Sequence, residues 1–239
     1  IPKSGRTVRS VLLGKRPAEQ ASDKRTEDSL FVYYHGIRPG EYEIRAAYSG
    51  KLRRASKEPS RYACPQPAVQ DSTTRGDWPG QYGSKGYVFC HYEPDGSHRI
   101  RLPEFTDSIR FAKTGGLHIA TRTDDRRAPV SEDGSGTRNA GTVVTLDPAP
   151  CNQTMTVDIR NKHDGPYRLA LYFVDWEKTG RRSAVEVFDL DDKRLLMPVQ
   201  IVRDYREGRY VVLSLEGSVR LRINQVRGTN ASLCALFFD

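Results

Sequence analysis

No stretch of the 239-residue chain approaches 18 consecutive apolar residues, which excludes a transmembrane helix. No window carries apolar residues at helical spacing over ten or more positions, so period-2 patterning is the organising signal. The four cysteines, Cys64, Cys90, Cys151 and Cys234, form no C-x-x-C pair, which argues against a zinc ribbon or a thioredoxin-type site. Their even number allows two disulfides in three connectivities, or four buried thiols. There is no G-x-S-x-G elbow to support a hydrolase serine. There is no phosphate loop, and Gly83 to Gly86 lacks the strand-to-helix unit of a dinucleotide fingerprint. The histidines, His35, His91, His98, His118 and His163, include no H-x-x-x-H or H-E-x-x-H pair, although His91 and His98 are placed to meet across a hairpin around Asp95-Gly96. The chain opens Ile1-Pro2-Lys3 with neither Met nor an apolar signal core. The expectation is a removed signal peptide or a piece of something longer.

What the chain has is positive charge. Lys and Arg number 38 against 30 Asp and Glu, a formal net charge of +8, and Arg supplies 28 of the basic residues. Nucleic-acid binding requires clustered cations to neutralise phosphates. Here the basic residues read as spread: Arg126-Arg127 follows Asp124-Asp125, and Arg181-Arg182 follows Glu177. The expectation is an arginine-rich solvated surface with no nucleic-acid partner and no membrane span. Two N-x-[ST] sequons, at Asn152 and Asn230, lean towards a secreted or extracytoplasmic protein.

Short β-rich runs broken by Gly, Pro and Asp fill the chain. In residues 1–60 a charged linker precedes two runs, Leu30 to Tyr34 and Glu41 to Tyr48, with turn chemistry at Gly36 to Gly40, which predicts a hairpin. That segment is expected to pack on the following domain or to end a preceding one. From residue 61 to 239, Met155, Val157 and Ile159 alternate with polar neighbours, as do Val211, Leu213 and Leu215. Tyr167 to Val174 is apolar on both faces, as a central strand requires. Leu195 to Val202 and Leu233 to Phe238 are further strands. The pattern predicts an all-β, antiparallel, jelly-roll-like β-sandwich over residues 61–239.

The candidate sites differ in weight. The cluster Asp189-Leu190-Asp191-Asp192 offers oxygen ligands for Ca²⁺ but lacks the glycine and distal Glu of an EF-hand, so a hairpin turn is the plainer reading and no cofactor is expected. Asp77, Glu104, Asp124, Asp125 and Asp175 are possible glycosidase carboxylates, and spacing alone pairs none of them. Arg75-Gly76-Asp77 spells an adhesion tripeptide that arises readily by chance. The most informative segment is Thr73 to Tyr87, TTRGDWPGQYGSKGY. Its glycines permit a bent backbone that holds Trp78, Tyr82 and Tyr87 in a loop. Two readings stay open: the rings plug one end of the sandwich, or they form a platform for the flat faces of sugars, with Asp77 and Arg75 bonding hydroxyls. Asp175-Trp176 ends the most apolar strand. Asp175 is expected to accept the N–H groups of the Glu177 to Gly180 turn. Trp176 either caps the core or faces a ligand, and Trp176→Ala is expected to destabilise more than Asp175→Asn.

Thr73 to Tyr87 resembles a T-T-x-G-x-W-x-G-x-Y-G-x-x-G-Y signature. It belongs to a carbohydrate-binding-module-like β-sandwich domain near the C-terminus of large secreted microbial proteins, many of them polysaccharide-degrading. Three later blocks carry the same resemblance: Tyr167 to Trp176 with Arg182 and Val185 to Asp189, then Gly208 to Tyr210, then Asn230 to Asp239. Together they span about residues 70–239, and residues 1–60 fall outside. The resemblance implies a non-catalytic accessory module of a secreted carbohydrate-active protein, with a glycan or a catalytic domain of the same parent protein as partner. The alternative is a portion of a glycoside hydrolase or polysaccharide lyase that contributes to its active site. No catalytic constellation is visible in the chain.

Overall fold

A computed structural model of the chain describes residues 68–145 and 153–239 in full, together with the backbone of five short strands between residues 7 and 49. The chain divides into two units, Ile1–Arg61 and Tyr62–Asp239. The boundary expected at residues 60 and 61 lies outside the described residues, as do Cys64, Cys151 and Asn152. The expected even spread of charge does not hold across this division. Residues 1–61 carry 14 Lys and Arg against 7 Asp and Glu, whereas residues 62–239 carry 24 against 23.

In the first unit β1 (Thr7–Leu13) pairs antiparallel with β2 (Arg16–Pro17) and with β5 (Ile44–Ser49). Separately, β3 (Asp23–Arg25) pairs with β4 (Leu30–Val32). The hairpin expected between Leu30–Tyr34 and Glu41–Tyr48 is therefore replaced. Its two arms take different partners, because β1 offers β5 a longer ladder than the three-residue β4 can.

The second unit is an antiparallel β-sandwich. Its strands are β6 (Val69–Asp71), β7 (Gly86–Phe89), β8 (Arg99–Arg101), β9 (Thr106–Ala112), β10 (Thr114–Ala120), β11 (Ala140–Thr145), β12 (Thr154–Asn161), β13 (Pro166–Phe173), β14 (Arg182–Asp189), β15 (Gln200–Val202), β16 (Arg209–Glu216), β17 (Val219–Arg227), β18 (Ser232–Leu233) and β19 (Ala235–Phe238). A six-stranded sheet has the order β6-β16-β13-β19-β7-β8, and a five-stranded sheet the order β15-β14-β17-β12-β9. A third sheet, β10-β11-β18, is smaller. Leu195 to Val202 contributes less strand than expected: only β15 and an isolated bridge between Phe188 and Leu195.

Two apolar clusters follow from the strand patterns. Between the large sheets lie Met155, Val157 and Ile159 of β12, Val219, Leu221 and Ile223 of β17, and Leu169, Leu171 and Phe173 of β13. The outward face of β12 and β17 in the five-stranded sheet is polar, and Arg220 donates to Asp158 across these strands at 2.7 and 2.8 Å. The outer side of the six-stranded sheet is instead mainly aromatic, with Arg99 and Arg101 of β8 lying over Tyr92 and Tyr87. That side carries Tyr87, Phe89, Ala170, Tyr172, Tyr210 and Phe237, which form a second buried cluster with Trp78 and Tyr92. Hence β13 is apolar on both faces from Leu169 to Phe173, with a core on either side, while Arg168 near its start is exposed.

His91 and His98 meet beside the β7–β8 turn, with ring centroids 4.6 Å apart. The His91 N–H donates to His98 Nδ1 at 2.9 Å, so that nitrogen carries no proton. A Cβ on Gly116 of β10 would lie 1.6 Å from His91 Nε2, so this strand accepts the ring only at a glycine. Burial lowers the pKa of both histidines from the usual 6.5, with the neighbouring imidazoles adding to it. A base whose folded pKa is depressed binds fewer protons folded than unfolded, so its stabilisation is full above about pH 6.5 and is lost as pH falls below it. Denaturant melts should give lower stability at pH 5.5 than at pH 7.5, and His98→Gln should flatten that dependence.

Candidate functional site

The segment from Thr73 to Tyr87 leaves β6, crosses the aromatic face of the six-stranded sheet and enters β7. Trp78 is 4% exposed and lies against Tyr87, Phe89 and Phe237, with ring centroids 5.2–5.6 Å away. Its Nε1–H donates to the Val130 carbonyl at 2.7 Å. Tyr87, 3% exposed, stacks on Phe89 at 4.4 Å. Of the two readings of this loop, the platform is corrected for both residues: their faces are occupied by the protein's own rings, because an apolar sheet face requires a cover.

A second loop, residues 121–139, completes that cover. Gly76 N–H donates to Arg126 O and Val130 N–H donates to Gly76 O, both at 3.0 Å. A Cβ at Gly76 would lie 2.0 Å from the Ala128 carbonyl oxygen, so the two loops approach this closely only at glycine. Asp77 ties them by side chain, accepting from Arg138 and from Arg126 Nη2 at 3.1 Å. Arg138, with Arg126, holds the Asp77 carboxyl below the usual range. Arg75 supplies its carbonyl to the Tyr210 hydroxyl, and its guanidinium lies 3.9 Å from Glu207. Asp77 and Arg75, expected as sugar contacts, thus fasten the cover while remaining partly exposed, and Gly76 between them is buried.

Tyr82 is the exception. Half-buried, it stacks on Tyr210 at 4.4 Å and donates its hydroxyl to Asp71 Oδ2 at 3.0 Å. Burial and the Asp71 carboxylate push its pKa well up, so it stays a donor. Next to it opens a cleft of about 520 Å³, lined by residues 78–84 with Arg101, Glu132, Arg168 and Asp239. Arg168 lies over Tyr82 at 5.7 Å and donates to Gln81 O and to Asp239 Oδ2 at 3.1 and 3.2 Å. Asp239 Oδ1 accepts from the N–H and hydroxyl of Ser84, each at 2.9 Å. Arg101 lies over Tyr87 at 4.9 Å and donates to Gly83 O at 3.0 Å. Glu132 accepts from Arg99 Nη1 at 3.4 Å. Burial acts to raise Glu132, but the Tyr87 hydroxyl, a backbone N–H and Arg99 outweigh it, and its pKa is lowered.

Arg101, Glu132, Arg168 and Asp239 were not legible as site residues. They come from β8, the second loop, β13 and the position after β19, and only strand order brings them together. The sole hint was the loop between them. Trp176, at the end of β13, lies apart from the cleft lining, packs against the second cluster and has the Arg127 guanidinium 5.0 Å over its ring. Its neighbour Asp175 accepts from the Thr179, Gly180 and Arg181 N–H groups at 2.8–3.2 Å and from Arg181 Nη1 at 2.7 Å. Burial opposes ionisation of Asp175, yet these donors hold its pKa low. Among the described residues no group of three or more His, Cys, Asp or Glu is arranged to hold a metal, and Asp189 instead accepts the N–H groups of Asp191 and Asp192 in a turn. Cys90 and Cys234 are buried free thiols. No described helix is long and apolar enough to cross a membrane.

No protein-family model matches the chain, and no curated protein does. Among solved structures, it is similar to a family 35 carbohydrate-binding module from an environmental isolate, at 9% identity and a TM-score of 0.34, over 56% of this chain and 88% of that one. It is similar to the module CBM6cm-2 of Cellvibrio mixtus lichenase 5A in complex with cellotriose, at 8% identity and a TM-score of 0.33, over 65% and 96%. A family 35 module from Clostridium thermocellum gives 11% identity and a TM-score of 0.30, over 55% and 97%.

The geometry reverses the expected order of two substitutions. Asp175 and Arg181 are 1% and 4% exposed, and separating a buried pair costs about 3–5 kcal/mol, whereas half-buried Trp176 removes less contact. Thermal melts should show Asp175→Asn more destabilised than Trp176→Ala, with Trp78→Ala losing about 3–5 kcal/mol as a fully packed ring.

Proposed function

We propose that residues 61–239 are a non-catalytic glycan-binding module, an accessory domain of a secreted carbohydrate-active protein. The observation that carries this reading is the cleft beside Tyr82. It is open to solvent, lined by the half-buried Tyr82 ring with Arg168 over it, and edged by side chains able to bond hydroxyls or ring substituents. Saccharides suit such a surface, because each ring presents both a C–H face and a fringe of polar groups. The sequence resemblance implies the same function independently.

The competing reading, a portion of a hydrolase or lyase active site, needs a carboxylate or other group able to exchange a proton with substrate. The two carboxylates of the cleft are committed. Asp239 is bonded to Ser84 and Arg168, and Glu132 has a lowered pKa, the wrong direction for a general acid at neutral pH.

A glycan array on the purified chain should give binding to a restricted set of saccharides. Tyr82→Ala should weaken binding about tenfold while leaving the fold intact, the scale of one aromatic contact. A hydrolysis and lyase screen should give no turnover. An array without binding, or a folded Tyr82→Ala protein of unchanged affinity, would remove the cleft as the site.

A further inference from the structure

The hydrogen-bond inventory of the cleft narrows the class of glycan, on the reading that a glycan binds there. Neutral sugars are held largely by acceptors, since carboxylates take the hydroxyl protons. In this cleft both carboxylates already accept bonds from the protein. Asp239 Oδ1 already accepts two bonds from Ser84, and Oδ2 accepts from Arg168. Glu132 accepts from Arg99 Nη1.

The donors are in the opposite condition. Arg101 has no carboxylate partner among the described residues. One of its N–H groups is bonded to the Gly83 carbonyl, and its plane is held over Tyr87. A guanidinium has five N–H groups in a rigid fork, so Arg101 retains donors beyond the bond that fixes it. Stacking on a buried ring with one backbone bond orients the fork in advance, which reduces the ordering entropy of binding. It makes no ion pair of its own, whereas Arg168 is paired with Asp239, and Arg99 with Glu93 and Glu132.

We infer that the cleft recognises an anionic saccharide, its carboxylate or sulfate oxygens received by the Arg101 guanidinium beside the Tyr82 ring. A carboxylate presents a planar pair of oxygens to the fork, and a tetrahedral sulfate presents two of its terminal oxygens. A Lys in its place keeps the charge but loses the paired geometry.

The test is calorimetry on the full chain with three probes: trigalacturonic acid, a sulfated galactan tetrasaccharide and neutral galactotetraose. Binding of either acidic probe at least about tenfold tighter than the neutral one is expected, and which acidic probe it is separates carboxylate from sulfate. Arg101→Gln should lose that preference and Arg101→Lys should recover only part of it, both with melting temperatures near the parent. Because residues 1–61 carry excess basic charge, acidic binding that Arg101→Gln leaves unchanged belongs to that segment and overturns the inference. Neutral galactotetraose bound as tightly as the acidic probes overturns it while leaving glycan binding at the cleft standing. A chain that binds none of the three and stays blank on the glycan array loses both.

Discussion

The constraint on which the second unit depends is the apolar outer face of its six-stranded sheet. Tyr87, Phe89, Tyr172, Tyr210 and Phe237 all project from it, away from the core between the sheets. Removing such a ring from water is worth roughly 1.5–3 kcal/mol, so five are worth on the order of 10 kcal/mol. That equals the whole net stability of an ordinary domain, about 5–15 kcal/mol. A sheet of this kind needs a cover, and two loops supply it. The choice of Tyr and Trp over Phe follows, because their polar tips end where loop backbone must be satisfied. Tyr210 donates to Arg75 O, Tyr172 to Arg127 O at 2.8 Å, Tyr92 to Pro129 O at 3.2 Å and Trp78 to Val130 O. Each ring is buried and each tip fastens a turn of the cover.

The cleft is a consequence of that cover. Once Trp78 is inside, the chain from Pro79 to Ser84 must turn back to reach β7. Gly83 makes the turn at φ +75°, in the left-handed region, with Trp78 and Phe237 so close that a Cβ would sit 3.0 Å from each. The carbonyls of Gln81 and Gly83 are left pointing outward, and Arg168 and Arg101 bind them. Both arginines lie over rings of the same loop, Tyr82 and Tyr87. The residues that secure the loop's outer edge are therefore the same ones that line the opening.

Much of the sandwich was legible and much of the site was not, for reasons that separate cleanly. Strands β12 and β17 face a core on one side only, so their alternation is visible in the order of residues; β16 alternates only over Leu213 to Glu216, beyond the second cluster. Strand β13 reads as apolar from Leu169 to Phe173 because it has a core on both sides there. The turn-holding role of Asp175 was also readable, since its donors lie within six residues of it. The depth of Trp78 was not. A glycine-rich loop with a Trp looks the same whether the ring faces in or out, and the decision rests on Phe237, Phe89 and Val130, which are remote in sequence. The pairing of β3 with β4, in place of the expected hairpin, failed for a related reason: turn chemistry names a bend, and ladder length chooses the partner.

The partition of charge bears on how such a domain selects a ligand. The sandwich is nearly neutral, while the first 61 residues hold most of the excess positive charge. Exposed charges are screened beyond about 8 Å at physiological ionic strength, and what attraction remains acts on any polyanion alike. Discrimination between saccharides must come from contact distance, where geometry and committed partners matter more than net charge. In the cleft both carboxylates already accept bonds from the protein, and the fixed Arg101 guanidinium has no carboxylate partner among the described residues. On the proposed reading, the balance of used and unused hydrogen-bonding groups, more than the number of arginines, sets the preference of this surface.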